Sequence, residues 1–266
     1  MSLNQRKTGV ELRNASSLIK QGAEAKVYLN STEEKPMILK YRFPKTYRHP
    51  TLDKTLNKQR IQSEIKALDR ADTAGVSVPK VLFADSRDSM LGLELIDGYS
   101  VREWLGSKGE GDITASDDGV KLDMTAIGLD RREGSIIQAQ TLMKLVGEQI
   151  GKLHLSGIIH GDLTKRELII YSTSNLILKH STKEVYIIDF GLSSLKPINH
   201  YTSAEDRAVD IYVLERAFGS THPSLNKEYS QLLESYADTL KSSEWNKVNS
   251  KLNDVRLRGR KKDMVG

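Results

Sequence analysis

Short apolar runs broken by turn residues open the chain. SLIKQGAEAKVYLN (17–30) and PMILKYRF (36–43) alternate apolar and polar positions. That pattern predicts strands of an antiparallel sheet, with a turn at Gly22 and Ala23 inside the first pair. Between Leu52 and Ala71 the spacing changes. Leu56, Ile61, Ile65 and Leu68 stand among many charges, which predicts an amphipathic helix. Val81–Ala84 and Met90–Ile96 read as two further strands, so the order so far is strand, strand, helix, strand, strand. Ser100 and Glu103 have capping-box spacing and predict a helix through Trp104. Residues 106–123 (GSKGEGDITASDDGVKLD) are rich in Gly, Ser and Asp and read as an insertion. Helical spacing returns from Ile136 to Leu155 through Ile137, Leu142, Leu145, Ile150 and Leu153. A strand at Val185–Ile188 and helices at Asp210–Ala217 and Tyr229–Leu240 follow, with no tandem repeat.

Composition narrows the class. The 266 residues are 38% hydrophobic and 28% charged, enough for one two-lobed domain or two small ones. No apolar run approaches the roughly 18 residues of a membrane helix, and the start, MSLNQRKTGV, lacks the apolar segment of a signal peptide. There are no cysteines, which excludes disulfides and thiolate metal sites. The expectation is a soluble intracellular protein with no membrane partner. Net charge is +5, and its distribution matters more than its sum. Lys251, Arg256, Arg258, Arg260, Lys261 and Lys262 crowd the C-terminus, which favours an acidic partner surface or nucleic acid.

Four residues carry candidate chemistry. Phosphoryl transfer needs positioned charges and little covalent work by the protein. Lys40 ends an apolar strand, where it could neutralise phosphates, and Glu64 on the amphipathic helix could hold it. HGDLT places Asp162 after a long helix and Ile158-Ile159; IIDFG places Asp189 after a second strand. An aspartate on such a loop can orient a nucleophile, and one heading DFG can bind the magnesium that bridges phosphates. Such a catalytic loop needs an asparagine five residues after its aspartate, and there the chain has Glu167. The asparagine arrives at Asn175, in TSNLILK.

HGDLT and IDFGL occur across the kinase-like superfamily. Together with KYRFPKTYRHPTLDKTLNKQRIQSEIKALDRA, EDRAVDIYVLERAFGSTHP and VRLRGRKKDMVG, they resemble one family. This is the small atypical serine/threonine kinase of the KEOPS (EKC) complex, the PRPK-like or piD261-like kinases. The resemblance runs from about Leu18 to Gly266. It implies an α+β, two-lobed protein-kinase-like fold, with a small N-lobe of antiparallel sheet and one helix, and a mainly helical C-lobe. The expected division is an N-terminal extension (1–17), the N-lobe (18–96), the C-lobe (97–250) and a basic tail (251–266).

The same resemblance implies ATP and magnesium as cofactors, and both kinase and ATPase activity. QGAEA (Gln21–Ala25) stands in place of the usual glycine-rich loop. The implied ATP-binding residues are Leu18, Ile19, Lys20, Gln21, Gly22, Ala23, Glu24, Ala25, Lys26, Lys40 and Glu64, with Glu94 and Ile96 contacting adenine. Asp162 is the implied catalytic residue, and Asn175 and Asp189 the metal ligands. Implied partners are the threonylcarbamoyl-transferase subunit, on the C-lobe and basic tail, and a small KEOPS subunit on the N-lobe. The complex modifies tRNA to threonylcarbamoyl-adenosine, and the expected location is cytoplasm and nucleus. Gly161 replaces the arginine of regulated kinases, and no APE motif lies between Asp189 and Asp210, which resembles the family's buried helix aspartate.

Two alignments of the loop stand open. Glu167 takes the asparagine position at native spacing, or KRELIIYS (165–172) is an insertion and Asn175 takes it. A carboxylate can ligate magnesium, and lengthening a flexible loop costs only about 0.6 kcal/mol per doubling. Two other functions remain beside the kinase: a pseudokinase scaffold with an impaired loop, and a small-molecule kinase, which leaves YRHPTLD and the basic tail without a purpose.

Overall fold

The computed structural model describes residues 8–31, 35–105, 138–163, 175–196, 203–222 and 225–265. They fall into two compact units. Described residues within 8–66 and 79–96 form the first; those within 67–78, 97–105 and 138–265 form the second.

The first unit is a five-stranded antiparallel sheet with helices. Its strands are β1 (Ser17–Gln21), β2 (Lys26–Asn30), β3 (Met37–Tyr41), β4 (Val81–Asp85) and β5 (Met90–Glu94), in the order β1-β2-β3-β5-β4. The Gly22 turn splits 17–30 into a hairpin, which gives five strands where the apolar runs alone announce four. Leu12, Met37, Leu39 and Met90 form the core, with Tyr28, Tyr41 and Phe83 packed against it. Leu12 comes from a short helix, α1 (Gly9–Asn14), inside the expected N-terminal extension. A capping box starts that helix: Glu11 N–H donates to Thr8 Oγ1 (3.3 Å) and Thr8 N–H to Glu11 Oε2 (2.7 Å). Buried Asn30 on β2 then donates to the Leu12 carbonyl (3.2 Å), which fixes α1 on the sheet. The long helix α2 (Pro50–Thr73) covers the predicted amphipathic stretch, starting in this unit and ending in the second.

The second unit is mainly helical. It holds β6 (Gly98–Ser100), α3 (Val101–Trp104), α4 (Ala139–Leu155), β7 (Ile158–Ile159), β8 (Leu176–Lys179), β9 (Val185–Ile187) and β10 (Ser194–Leu195). Helices α5 (Ala204–Thr221), α6 (Asn226–Leu240) and α7 (Ser242–Val265) complete it. A three-stranded sheet runs β6-β8-β9, and β7 pairs with β10. The core is built from α4 and α6, where Leu142, Met143, Val146, Ile150 and Leu153 are buried with Leu232 and Tyr236. The two helices approach closely because α4 carries Gly147 and Gly151. A Cβ at Gly147 would collide with the Leu232 carbonyl, and one at Gly151 would stand 2.7 Å from Thr239 Cβ.

Helix α7 runs unbroken across residue 250, so the basic stretch is helical through Val265. Val248, Leu252 and Val255 form its buried stripe. Its charges return to the unit: Arg207 of α5 meets Glu244 (3.1 Å), Arg256 grips Glu215 of α5 through Nε (3.0 Å), and Arg258 meets Glu205 (2.7 Å). Among the described residues, no helix is long and apolar enough to cross a membrane.

Candidate functional site

In the first unit, Lys40 lies on β3, the middle strand, opposite Val27 of β2 and Leu91 of β5. Its ammonium meets Glu64 of α2 at 2.7 Å. Arg42, two residues on, points to the same side of the extended chain and binds the other Glu64 oxygen at 2.8 Å. The Glu64 side chain is only 1% exposed, and a carboxylate is tolerated there because both oxygens meet a cation. Sequence spacing points to Lys40 and Glu64. It leaves out Arg42, although the two-residue strand period was the available signal.

Leu18, Ile19, Lys20 and Gln21 lie on β1, and Lys26 begins β2. The turn between them closes with a hydrogen bond from Gly22 N–H to the Ala25 carbonyl (2.8 Å). Two cations outside the hairpin hold its tip: Lys45 Nζ donates to the Ala23 carbonyl, and Arg60 of α2 pairs with Glu24. Burial raises the Glu24 carboxyl, but the Arg60 hydrogen bond and charge, with Lys45 and Arg48, outweigh it and hold it below the usual glutamate value. Arg48 in turn meets buried Asp53 (3.3 Å), which also accepts from Lys45 N–H (3.3 Å) and Asn57 Nδ2 (3.2 Å). Arg48 and Asp53 of YRHPTLD thus brace this turn. Glu94 ends β5, donating its N–H to the Lys80 carbonyl (2.8 Å), and Ile96 beyond it is buried.

In the second unit, backbone geometry does the positioning. Asp162 follows β7, and the turn passes through Gly161 at φ +73°. A Cβ there would stand 2.9 Å from the Leu192 carbonyl oxygen. Both features resist the arginine of regulated kinases, which accounts for the glycine physically. Asp189 is left-handed (φ 62°, ψ 67°), a conformation aspartate adopts more readily than most residues and one that carries about 1–3 kcal/mol of strain. A 3-10 turn over Phe190–Leu192 follows, and β10 then pairs back on β7, with Ser194 opposite Ile159 and Leu195 opposite Ile158. That pairing draws the segment after Asp189 to the segment before Asp162. His160 Nε2 donates to the Ile188 carbonyl (3.1 Å), and its ring meets Phe190 edge-on at 5.0 Å.

Asn175 joins the two aspartates. Its side-chain Nδ2 donates to the backbone carbonyl of Asp162 (2.7 Å), and its own carbonyl accepts from Ile188 N–H (2.9 Å), one residue before Asp189. Asn175 is 4% exposed. Asp162, Asn175 and Asp189 are therefore gathered in one place, while Glu167 and the rest of 165–172 lie outside the described residues, as does 106–123.

Asp210 of α5 carries the turn. Its Oδ2 accepts from His160 N–H (2.9 Å) and its Oδ1 from Gly161 N–H (3.0 Å). His154 Nε2 lies 3.3 Å from Oδ2, and Tyr236 Oη lies 2.8 Å from His154 Nδ1. Burial raises the Asp210 carboxyl, but hydrogen bonds from the His154 side chain and the His160 N–H work against it, and the carboxyl lies below its ordinary value. His154 and Tyr236 belong to the site's support through contacts 56 and 82 residues apart in the chain, which no local pattern announces.

The donor set suits magnesium. With the Asn175 nitrogen engaged at Asp162, its amide oxygen and the Asp189 carboxylate are the groups that would hold a cation. Among the described residues no three of His, Cys, Asp or Glu cluster as a metal cage. Magnesium does not require one, since it is held by one or two protein oxygens together with phosphate oxygens and water. A cavity of about 480 Å³ lined by Glu215, Arg216, Phe218, Ser220 and Tyr229 contains none of these residues.

A small sheet with one long helix, a helical unit, a lysine–glutamate pair and an aspartate–asparagine–aspartate group define a kinase-like protein of the atypical kind. Solved structures agree on the fold. WaaP in complex with acyl carrier protein is similar at a TM-score of 0.54 and 12% identity, covering 88% of this chain and 83% of that one. The Rio2 kinase-ADP/Mg2+-phosphoaspartate complex from Chaetomium thermophilum is similar at 0.51 and 14%, covering 92% and 73%. No protein-family model matches the chain. Curated relatives are far nearer in sequence. The EKC/KEOPS complex subunit BUD32 of Cryptococcus neoformans is 40% identical, covering 96% of this chain and 98% of the relative. The Dictyostelium discoideum subunit bud32 is 39% identical (97% and 88%), and the Mus musculus subunit Tp53rkb 37% (94% and 88%). The chain belongs to this family of EKC/KEOPS complex kinase-like subunits.

Proposed function

We propose that the chain is an ATP- and magnesium-dependent serine/threonine kinase and ATPase that serves a KEOPS-like complex in threonylcarbamoyl-adenosine modification of tRNA. The observation that carries this is the hydrogen bond from Asn175 to the Asp162 carbonyl, with the Asn175 carbonyl tied to the residue before Asp189. A loop kept only as a scaffold has no need to hold an asparagine amide and two carboxylates together.

The roles follow from chemistry. Lys40, oriented by Glu64, neutralises the α and β phosphates; Leu18–Lys26 covers them; the backbone of Glu94 and Ile96 meets adenine. Asp162 accepts a hydrogen bond from the attacking hydroxyl or water and fixes its direction. Asn175 and Asp189 are the residues that would hold magnesium, and the ion would supply positive charge to the phosphate oxygens. The absence of an APE motif favours ATP hydrolysis and few peptide contacts. The transferase subunit is the proposed partner of the second unit and α7, the small KEOPS subunit that of the first unit, and tRNA is met through the complex in cytoplasm and nucleus.

ATP hydrolysis with and without the transferase partner tests the reading, comparing wild type with Asp162→Ala and Asp189→Ala. The expected result is turnover in wild type and its loss in both variants. Full turnover in both would overturn it.

A further inference from the structure

We propose that Tyr236, on α6, is a positioning residue for the reaction at Asp162: its hydroxyl selects the tautomer of His154 and so directs a donor at Asp210. The proposal rests on the reading that Asp162 serves phosphoryl transfer.

The chain of contacts runs through three helices. Tyr236 Oη is 2.8 Å from His154 Nδ1, His154 Nε2 is 3.3 Å from Asp210 Oδ2, and Asp210 accepts the N–H groups of His160 and Gly161. Those two residues immediately precede Asp162. Tyr236 is fully buried, and the His154 side chain is 0% exposed.

A neutral imidazole has one nitrogen that donates and one that accepts. If Nδ1 carried the proton, the Nε2 lone pair would face the Asp210 carboxylate, acceptor against acceptor. If Nε2 carries it, Asp210 gains a third donor beside the two amides, and Nδ1 needs a donor of its own. The tyrosine hydroxyl supplies one. Burial pushes Tyr236 ionisation well above the ordinary range, so the phenol keeps its proton. The hydrogen bond on one ring nitrogen therefore sets the proton on the other. With Nε2–H fixed, the carboxylate is held in the rotamer that places Oδ1 on Gly161 N–H and Oδ2 on His160 N–H, and with it the left-handed turn at Gly161. Trp245 of α7 packs edge-on against the Tyr236 ring at 5.9 Å and keeps it in place.

The test uses the full chain with 15N-labelled histidine and reads the His154 tautomer by long-range 15N–1H correlation, beside ATP turnover. Wild type should show neutral His154 with the proton on Nε2. Tyr236→Phe, which removes one oxygen and keeps the ring, should lose that single form. Its kcat should fall on the order of 10-fold with the KM for ATP unchanged, less than the about 10²-fold that a 1 Å misplacement costs. A glutamine can present an N–H to Asp210 without tyrosine's help, so Tyr236→Phe should have no further effect in a His154→Gln background. Wild-type His154 protonated on Nδ1, or on both nitrogens, overturns the proposal even if the variant fails to fold. So does a fall in kcat with the tautomer unchanged, or an equal loss in the His154→Gln background. If Asp162→Ala keeps full turnover, the phosphotransfer reading fails, while the tautomer measurement still decides what Tyr236 does.

Discussion

In the first unit the candidate residues are held by charge, and in the second by backbone. Lys40 keeps its place through Glu64, which Arg42 also binds, and the 22–25 turn is braced by Lys45 and Arg60. Asp162 and Asp189 owe theirs to a short strand pair, a left-handed glycine, a left-handed aspartate and two amides gripped by Asp210. Charged side chains can rearrange around a changing number of phosphates. Backbone held by buried hydrogen bonds cannot, and the direction of a nucleophile tolerates little drift. The first arrangement suits binding, the second suits chemistry, and substitutions should separate them as effects on KM and on kcat.

The largest effect should come from Asp162→Ala, with kcat for ATP hydrolysis down by about 10²–10⁴-fold and little change in thermal stability. Glu64→Gln breaks the other half differently. It leaves buried Arg42 and partly buried Lys40 facing an amide, and should destabilise the protein by about 3 kcal/mol in denaturant titration while raising the KM for ATP. Asn175→Ala should lower kcat by about 10²-fold, and Glu167→Gln should leave it unchanged. The reverse pair of results would move the ligand role to Glu167. The mildest change is Arg60→Gln. An exposed ion pair with Glu24 is worth about 1 kcal/mol at most. Stability should therefore barely move, and a modest rise in the KM for ATP should report the loosened turn.

Much of this was legible in the sequence, for reasons that differ by residue. Alternation over 17–30 and 36–43 marks strands because one face of the sheet is buried, and the gap from Lys40 to Glu64 marks a strand and a helix that can meet. HGD and DFG are short because their backbone, more than their neighbours, fixes them. Helix α1 carried its signal in Thr8 and Glu11, yet lay in a stretch read as an extension. Helix α7 was hidden by its own charges: Trp245, Val248, Leu252 and Val255 have helical spacing, but Arg256, Arg258, Arg260, Lys261 and Lys262 read as a basic tail for an acidic partner or nucleic acid. Arg256 and Arg258 find their carboxylates on α5, 41 and 53 residues away, and the sequence offers no sign of that. The left-handed Asp189 and the Tyr236–His154–Asp210 relay are likewise products of tertiary packing.

The gathering of Asp162, Asn175 and Asp189 into one magnesium–nucleotide group is the central claim, and binding of Mn2+ with ATP, followed by electron paramagnetic resonance, tests it most directly. Wild type should bind the Mn2+–ATP pair, and Asp189→Ala should lose it by about 10²-fold or more in affinity, in step with its turnover. Equal Mn2+–ATP affinity in wild type and Asp189→Ala would contradict the account.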